Sequence, residues 1–184
     1  MDTQGQKNAD WGFQAPADGW YLMEFMGDIK ESIKEINGEK RTSLQVPLKG
    51  VESYPDGEAV AFQMSIFVPL SGETDKEIGF AKKKMADVLV NSGLYEAFEK
   101  RYPGGDISIL DQRIIDGIKI KLPEKQVMVK IETKENKKVG KTFTNIVALA
   151  TRDFKPDKDE RKTAKKEKPV AKESANGTES TEGW

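Results

Sequence analysis

Tyr21, Met23 and Phe25 share one phase and Trp20, Leu22 and Glu24 the other, a period of two that predicts a strand. Gly27 follows, where a glycine permits a bulge or sharp coil. Asn37-Gly38 is a strong two-residue hairpin signal. The return strand then carries Leu44, Val46 and Leu48 inward, with Arg41, Ser43, Gln45 and Lys49 outward. Tyr54-Pro55-Asp56-Gly57 reads as a turn, with φ preset at the proline and a glycine to close it. A third strand has Val60, Phe62, Met64, Ile66 and Val68 on its buried phase, so three strands are expected to form a meander.

The period then changes. Thr74-Asp75-Lys76-Glu77 fits a capping box, in which two side chains each satisfy a free backbone N–H at the start of a helix. Ile78, Ala81, Met85, Val88 and Leu89 fall on one helical face, and Ser92-Gly93 stops the run. A short helix through Leu94, Ala97 and Phe98 is expected next, closed by Pro103-Gly104-Gly105. Residues 106–123 leave a short helix, an extra strand or part of a dimer contact open, because isoleucines 107, 109, 114, 115, 118 and 120 fit no single period. Val127, Val129 and Ile131 alternate with Met128, Lys130 and Glu132, and a loop from Glu135 to Gly140 leads to a last strand over 141–151. Strand, strand, strand, helix, strand, strand is the order of an OB-fold, a small five-stranded barrel.

Composition removes most catalytic chemistry. The 184 residues hold neither His nor Cys, which excludes disulfides, iron–sulfur clusters, ordinary zinc sites and histidine acid–base catalysis. No enzyme, cofactor or metal site is expected. Gly140-Lys141-Thr142 resembles only the end of a P-loop, since Glu135 stands where the pattern needs Gly. No apolar run is long enough to span a bilayer, and Met1-Asp2-Thr3-Gln4 lacks a signal peptide's layout, so a cytoplasmic chain is expected.

The formal charge of −1 conceals an uneven distribution. Residues 155–172 carry eight basic against four acidic side chains, and the last twelve residues carry three acids and no base. Residues 1–154 keep 22 basic and 24 acidic residues, so a polyanion site has to come from local clustering. Residues 155–184 have almost no large apolar side chain and are expected to be a disordered tail with a weakly acidic tip. Residues 1–14 form a polar arm containing Trp11 and Phe13, which leaves 15–154 as the folded domain.

One local cluster stands out. Lys130, Lys134, Lys137, Lys138 and Lys141 surround the last hairpin, followed by Phe143. Cations neutralise phosphates while an unpaired base stacks on an aromatic ring, for roughly 1–3 kcal/mol per base. The alternative for Phe143 is a place in the core. Arg41 and Lys49 occupy the outward phase of the second strand, and Phe67 that of the third, where it faces either water or a covering helix or loop. Tyr54 and Trp20 are further stacking candidates, although a Trp is more often structural. In the tail, Glu179, Glu182 and Trp184 suit either docking on a partner protein, folding back over the groove, or simple solubilisation.

In layout the chain resembles phage-encoded single-stranded-DNA-binding proteins with an OB-fold, over roughly residues 20–154. The resemblance lies in Gly19-Trp20-Tyr21-Leu22-Met23-Glu24-Phe25 with the strand ending in Lys49-Gly50, in the helix from Phe80 to Leu89 closing on Ser92-Gly93, and in Val129 to Lys134 followed by Gly140 to Ile146. It implies sequence-tolerant coating of single-stranded DNA during phage replication, recombination or repair, in the host cytoplasm. It also implies replication or recombination proteins as partners of the tail, and is compatible with a homo-oligomer. The tail tip departs from the dense acidic tips common in that family. The competing reading is an OB-type adaptor that binds proteins alone.

Overall fold

The computed structural model describes residues 15–101, 112–138 and 140–157. Among these are six strands in one antiparallel sheet and three helices: β1 (Gly19–Phe25), β2 (Lys30–Ile36), β3 (Glu39–Tyr54), β4 (Gln63–Pro69), α1 (Asp75–Asn91), α2 (Tyr95–Arg101), α3 (Gln112–Lys121), β5 (Gln126–Asn136) and β6 (Lys141–Thr151). Ladders join β2 to β3, β3 to β1, β1 to β5 and β5 to β6, and β4 pairs with the edge of β3 opposite β1 and β2.

The meander holds four strands rather than three. The expected first strand is broken around Gly27 into β1 and β2, which lie end to end along β3. The second arm is correspondingly long, at 16 residues. Asn37 and Gly38 both take positive φ, at 54° and 83°, as a two-residue hairpin turn requires. Leu44, Val46 and Leu48 are fully buried, each contributing about 1.5–3 kcal/mol.

The capping box at α1 is formed as read. Thr74 Oγ1 accepts from the Glu77 N–H at 3.2 Å, and Glu77 Oε2 accepts from the Thr74 N–H at 3.3 Å. Ala81, Met85, Val88 and Leu89 are buried, and Gly93 leaves the helix at φ 75°. The described part of the ambiguous stretch is helical. Ile114, Ile115, Ile118 and Leu122 bury one face of α3 and its exit while Ile120 is exposed. Residues 103–105 and 106–111 lie outside the described residues.

The chain is mainly β, as expected, and the barrel is not closed. Among the described residues no ladder joins β4 to β6. Helix α1 contacts both of these strands. No helix among the described residues is long and apolar enough to cross a membrane.

Candidate nucleic-acid interface

Two irregularities of register decide which side chains share the sheet face turned away from the core. In β3, Leu44, Val46 and Leu48 point inward, and simple alternation would send Tyr54 inward too. A bulge opposite Leu22/Met23 adds one residue, so Glu52 pairs with Leu22 and Tyr54 with Trp20 on the outer face. The second bulge lies opposite Lys130/Ile131, where Val147 is the extra residue. Leu149 pairs with Val129 on the core side, yet beyond the bulge Phe143 pairs with Lys134 on the outer side and is 46% exposed. Phe143 is therefore a surface aromatic.

The registers then place one row after another on this face. Lys134 stands beside Phe143, and Glu132 beside Asn145. Tyr54, Trp20, Lys130 and Ala148 form the next row, across β3, β1, β5 and β6. Lys49, Glu24 and Gln126 form a row farther along β1, about 13 Å from Trp20 at ordinary strand rise. On β2, β3 and β4 the same face continues through Lys30, Gln45 and Phe67, then Lys34 beside Arg41. All of Arg41, Lys49, Tyr54, Phe67, Trp20, Lys130, Lys134 and Phe143 thus belong to one face.

They are not equally available. Around the β5–β6 tip, Lys134, Lys137, Lys138 and Phe143 line an open concavity of about 690 Å³ with Glu135, Asn136 and Asn145. Asn136 Oδ1 accepts the Lys138 N–H at 3.1 Å, which holds the turn. Among the described residues no carboxylate lies within ion-pair distance of Lys137, Lys138 or Lys141. Lys130 and Lys134 share Glu132, both at 3.6 Å, so two cations meet one anion.

Elsewhere the cations are engaged. Lys49 Nζ lies 2.7 Å from Glu24 Oε1, and Gln126 Nε2 donates to Glu24 Oε2 at 3.3 Å. The Lys49 hydrogen bond, followed by that of Gln126, lowers the Glu24 pKa below its ordinary value against the opposing effect of burial. Arg41 bridges Glu39 at 3.3 Å and Glu77 at 3.2 Å, and so ties the β2–β3 hairpin to the start of α1. Its guanidinium is a structural tie more than an open phosphate contact. Phe67 is 41% exposed, with Lys34 Nζ 4.6 Å from its ring centre, a cation–π contact.

Trp20 is buried. Phe154, just beyond β6, packs on it with ring centres 5.0 Å apart and planes tilted by 48°. Sequence reasoning passed over Phe154, whose surroundings carry no periodic signal. It also passed over Lys34, although the two-residue turn at Asn37-Gly38 fixes Lys34 opposite Arg41. Glu179, Glu182 and Trp184 lie outside the described residues, as does the arm 1–14. Comparison with protein-family models and with curated proteins finds no match to this chain.

Proposed function

We propose that this protein binds single-stranded DNA with little regard to sequence and performs no chemistry on it. The observation that carries this reading is the β5–β6 tip, where Lys137, Lys138 and Lys141 have no carboxylate partner among the described residues and half-exposed Phe143 stands beside Lys134. Unpaired cations next to an accessible ring meet the two needs of a single strand, phosphate neutralisation and a surface for a base to stack on. Phe67 under Lys34 repeats the combination on β4. A duplex conceals its base faces and makes no use of such rings. The resemblance in layout to phage single-stranded-DNA-binding proteins supports a place in phage replication, recombination or repair, with partner proteins reached through the tail.

The test is a titration with a thymidine oligomer at several salt concentrations, read by gel shift and by tryptophan fluorescence, with a duplex of equal length as control. Binding to the oligomer alone is expected, with log affinity falling by about 0.7 per phosphate contact for each log unit of salt. Replacing Lys137, Lys138 and Lys141 together with Ala is expected to weaken binding to all sequences alike and to flatten that slope by about 2. A titration flat by both readouts at low salt sinks the proposal and leaves the protein-only adaptor.

A further inference from the structure

Trp20 stands in the middle of the outer face, in one row with Tyr54 and Lys130, between the β5–β6 tip and the Phe67 surface. Only 8% of it is exposed. Phe154, which packs on it, closes a tight turn with its N–H donating to the Thr151 carbonyl at 2.9 Å, is itself 37% exposed, and is followed two residues on by the buried Pro156. The indole Nε1–H is buried and has no hydrogen-bond partner among the described residues. A donor-only group shut away from water in this way carries a penalty that an incoming acceptor removes. The buried, unpartnered donor thus offsets part of what the ring contact contributes.

We propose that Trp20 is a concealed nucleobase platform gated by Phe154. An unpaired base takes the place of the Phe154 ring on the indole, and an oxygen of the adjoining nucleotide backbone accepts from Nε1. Lys130, next to Trp20 in register, stands where a phosphate of the same nucleotide would lie. Opening the gate joins the two exposed surfaces, at Phe143 and at Phe67, into one continuous track. The inference rests on the single-stranded-DNA reading above. It adds to it a site that the closed protein hides and a residue that controls access to it.

The experiment uses the full chain with Trp11→Phe and Trp184→Phe, which leaves Trp20 the sole indole of the three. The same chain carrying Phe154→Ala is compared with it. Both are titrated with a thymidine oligomer of about 16 nucleotides, long enough for one domain, and the Trp20 emission is challenged with acrylamide before and after. Phe154→Ala is expected to expose Trp20 to acrylamide in the free protein and to tighten binding about three- to tenfold, since the competent state is no longer shared with the closed one. Bound oligomer is expected to shield Trp20 in both chains. Should Phe154→Ala lower the melting temperature enough to perturb the fold, Phe154→Leu replaces it, with a smaller change in the same direction. Unchanged or weaker binding by the variant, with the parent still binding, overturns the gate and leaves the function standing. Absence of oligomer binding by both chains overturns the function and the gate together.

Discussion

Glu24 shows how one side chain ties stability to the proposed binding. It holds Lys49 at 2.7 Å and accepts from Gln126, and its folded-state pKa lies below its ordinary value. A carboxylate with a lowered folded pKa contributes stability that is complete above its unfolded pKa, and loses it as pH falls through the folded value. The melting-temperature difference between the natural chain and Glu24→Gln is thus expected to hold steady above about pH 5.5. It should then shrink on acidification below the ordinary value of 4.5. A gap that stays constant down to about pH 3 would show that the charge contributes nothing. The same substitution releases Lys49, so the salt slope for a single strand should steepen by about 0.7. Phe143 behaves differently. Being 46% exposed, it can be removed by Phe143→Ala with less than about 0.5 kcal/mol lost from the fold. The oligomer affinity should nevertheless fall by about 1–3 kcal/mol, read by the same titration.

Helix α1 begins with two reciprocal hydrogen bonds and a tie to the β2–β3 hairpin, all through Thr74 and Glu77. Thr74→Ala deletes the side-chain acceptor for the Glu77 N–H and is expected to cost about 1 kcal/mol. For a domain of this size that lowers the melting temperature by about 2–4 °C, measurable by calorimetry. In β3, a Cβ at Gly50 would come within 2.8 Å of the Val60 side chain and 3.1 Å of the Phe62 ring, so those side chains must shift to admit one. Gly50→Ala should therefore destabilise more than Thr74→Ala, with Val60 and Phe62 forced to move. Equal or higher melting temperature in that variant would mean that the loop ahead of β4 yields freely. These two positions differ in legibility. The capping box is a local pattern of four residues and can be read directly, whereas the crowding at Gly50 depends on residues ten and twelve positions away crossing it.

Local periodicity carried most of the architecture: Asn37-Gly38, the alternation in β1, β3 and β5 and the helical face of α1 appear where the sequence implies them, while β4 begins at Gln63, after the Val60 and Phe62 that its pattern included. What it does not carry is cross-strand counting. Neither bulge is visible in one strand alone, so the outward turn of Tyr54 and Phe143 follows only when Leu22/Met23 and Lys130/Ile131 are set against their partners. Element order likewise says nothing about whether the barrel closes or stays open. The candidate site was legible as a charge cluster at the β5–β6 tip, while the burial of Trp20 under Phe154 and the engagement of Arg41 and Lys49 by carboxylates needed three dimensions. Stability should be graded across the sheet accordingly. β1 is paired on both sides, whereas β2 is an edge strand with mostly exposed side chains. Amide hydrogen exchange is expected to be slowest in β1 and fastest, among the strands, in β2. Similar protection in the two would contradict this.

The seam between β4 and β6 gives the molecule a directional compliance. Among the described residues, five strand pairings are fixed by backbone hydrogen bonds, and sliding or parting any of them breaks a row of such bonds at once. Between β4 and β6 no ladder runs among the described residues, and α1 contacts both strands. Widening there stretches contacts of graded strength and breaks no ladder. A load that bends the sheet, from a strand of nucleic acid wrapping its outer face or from rising temperature, would be taken up first as a small outward tilt of α1, with the curvature of the sheet relaxing to follow.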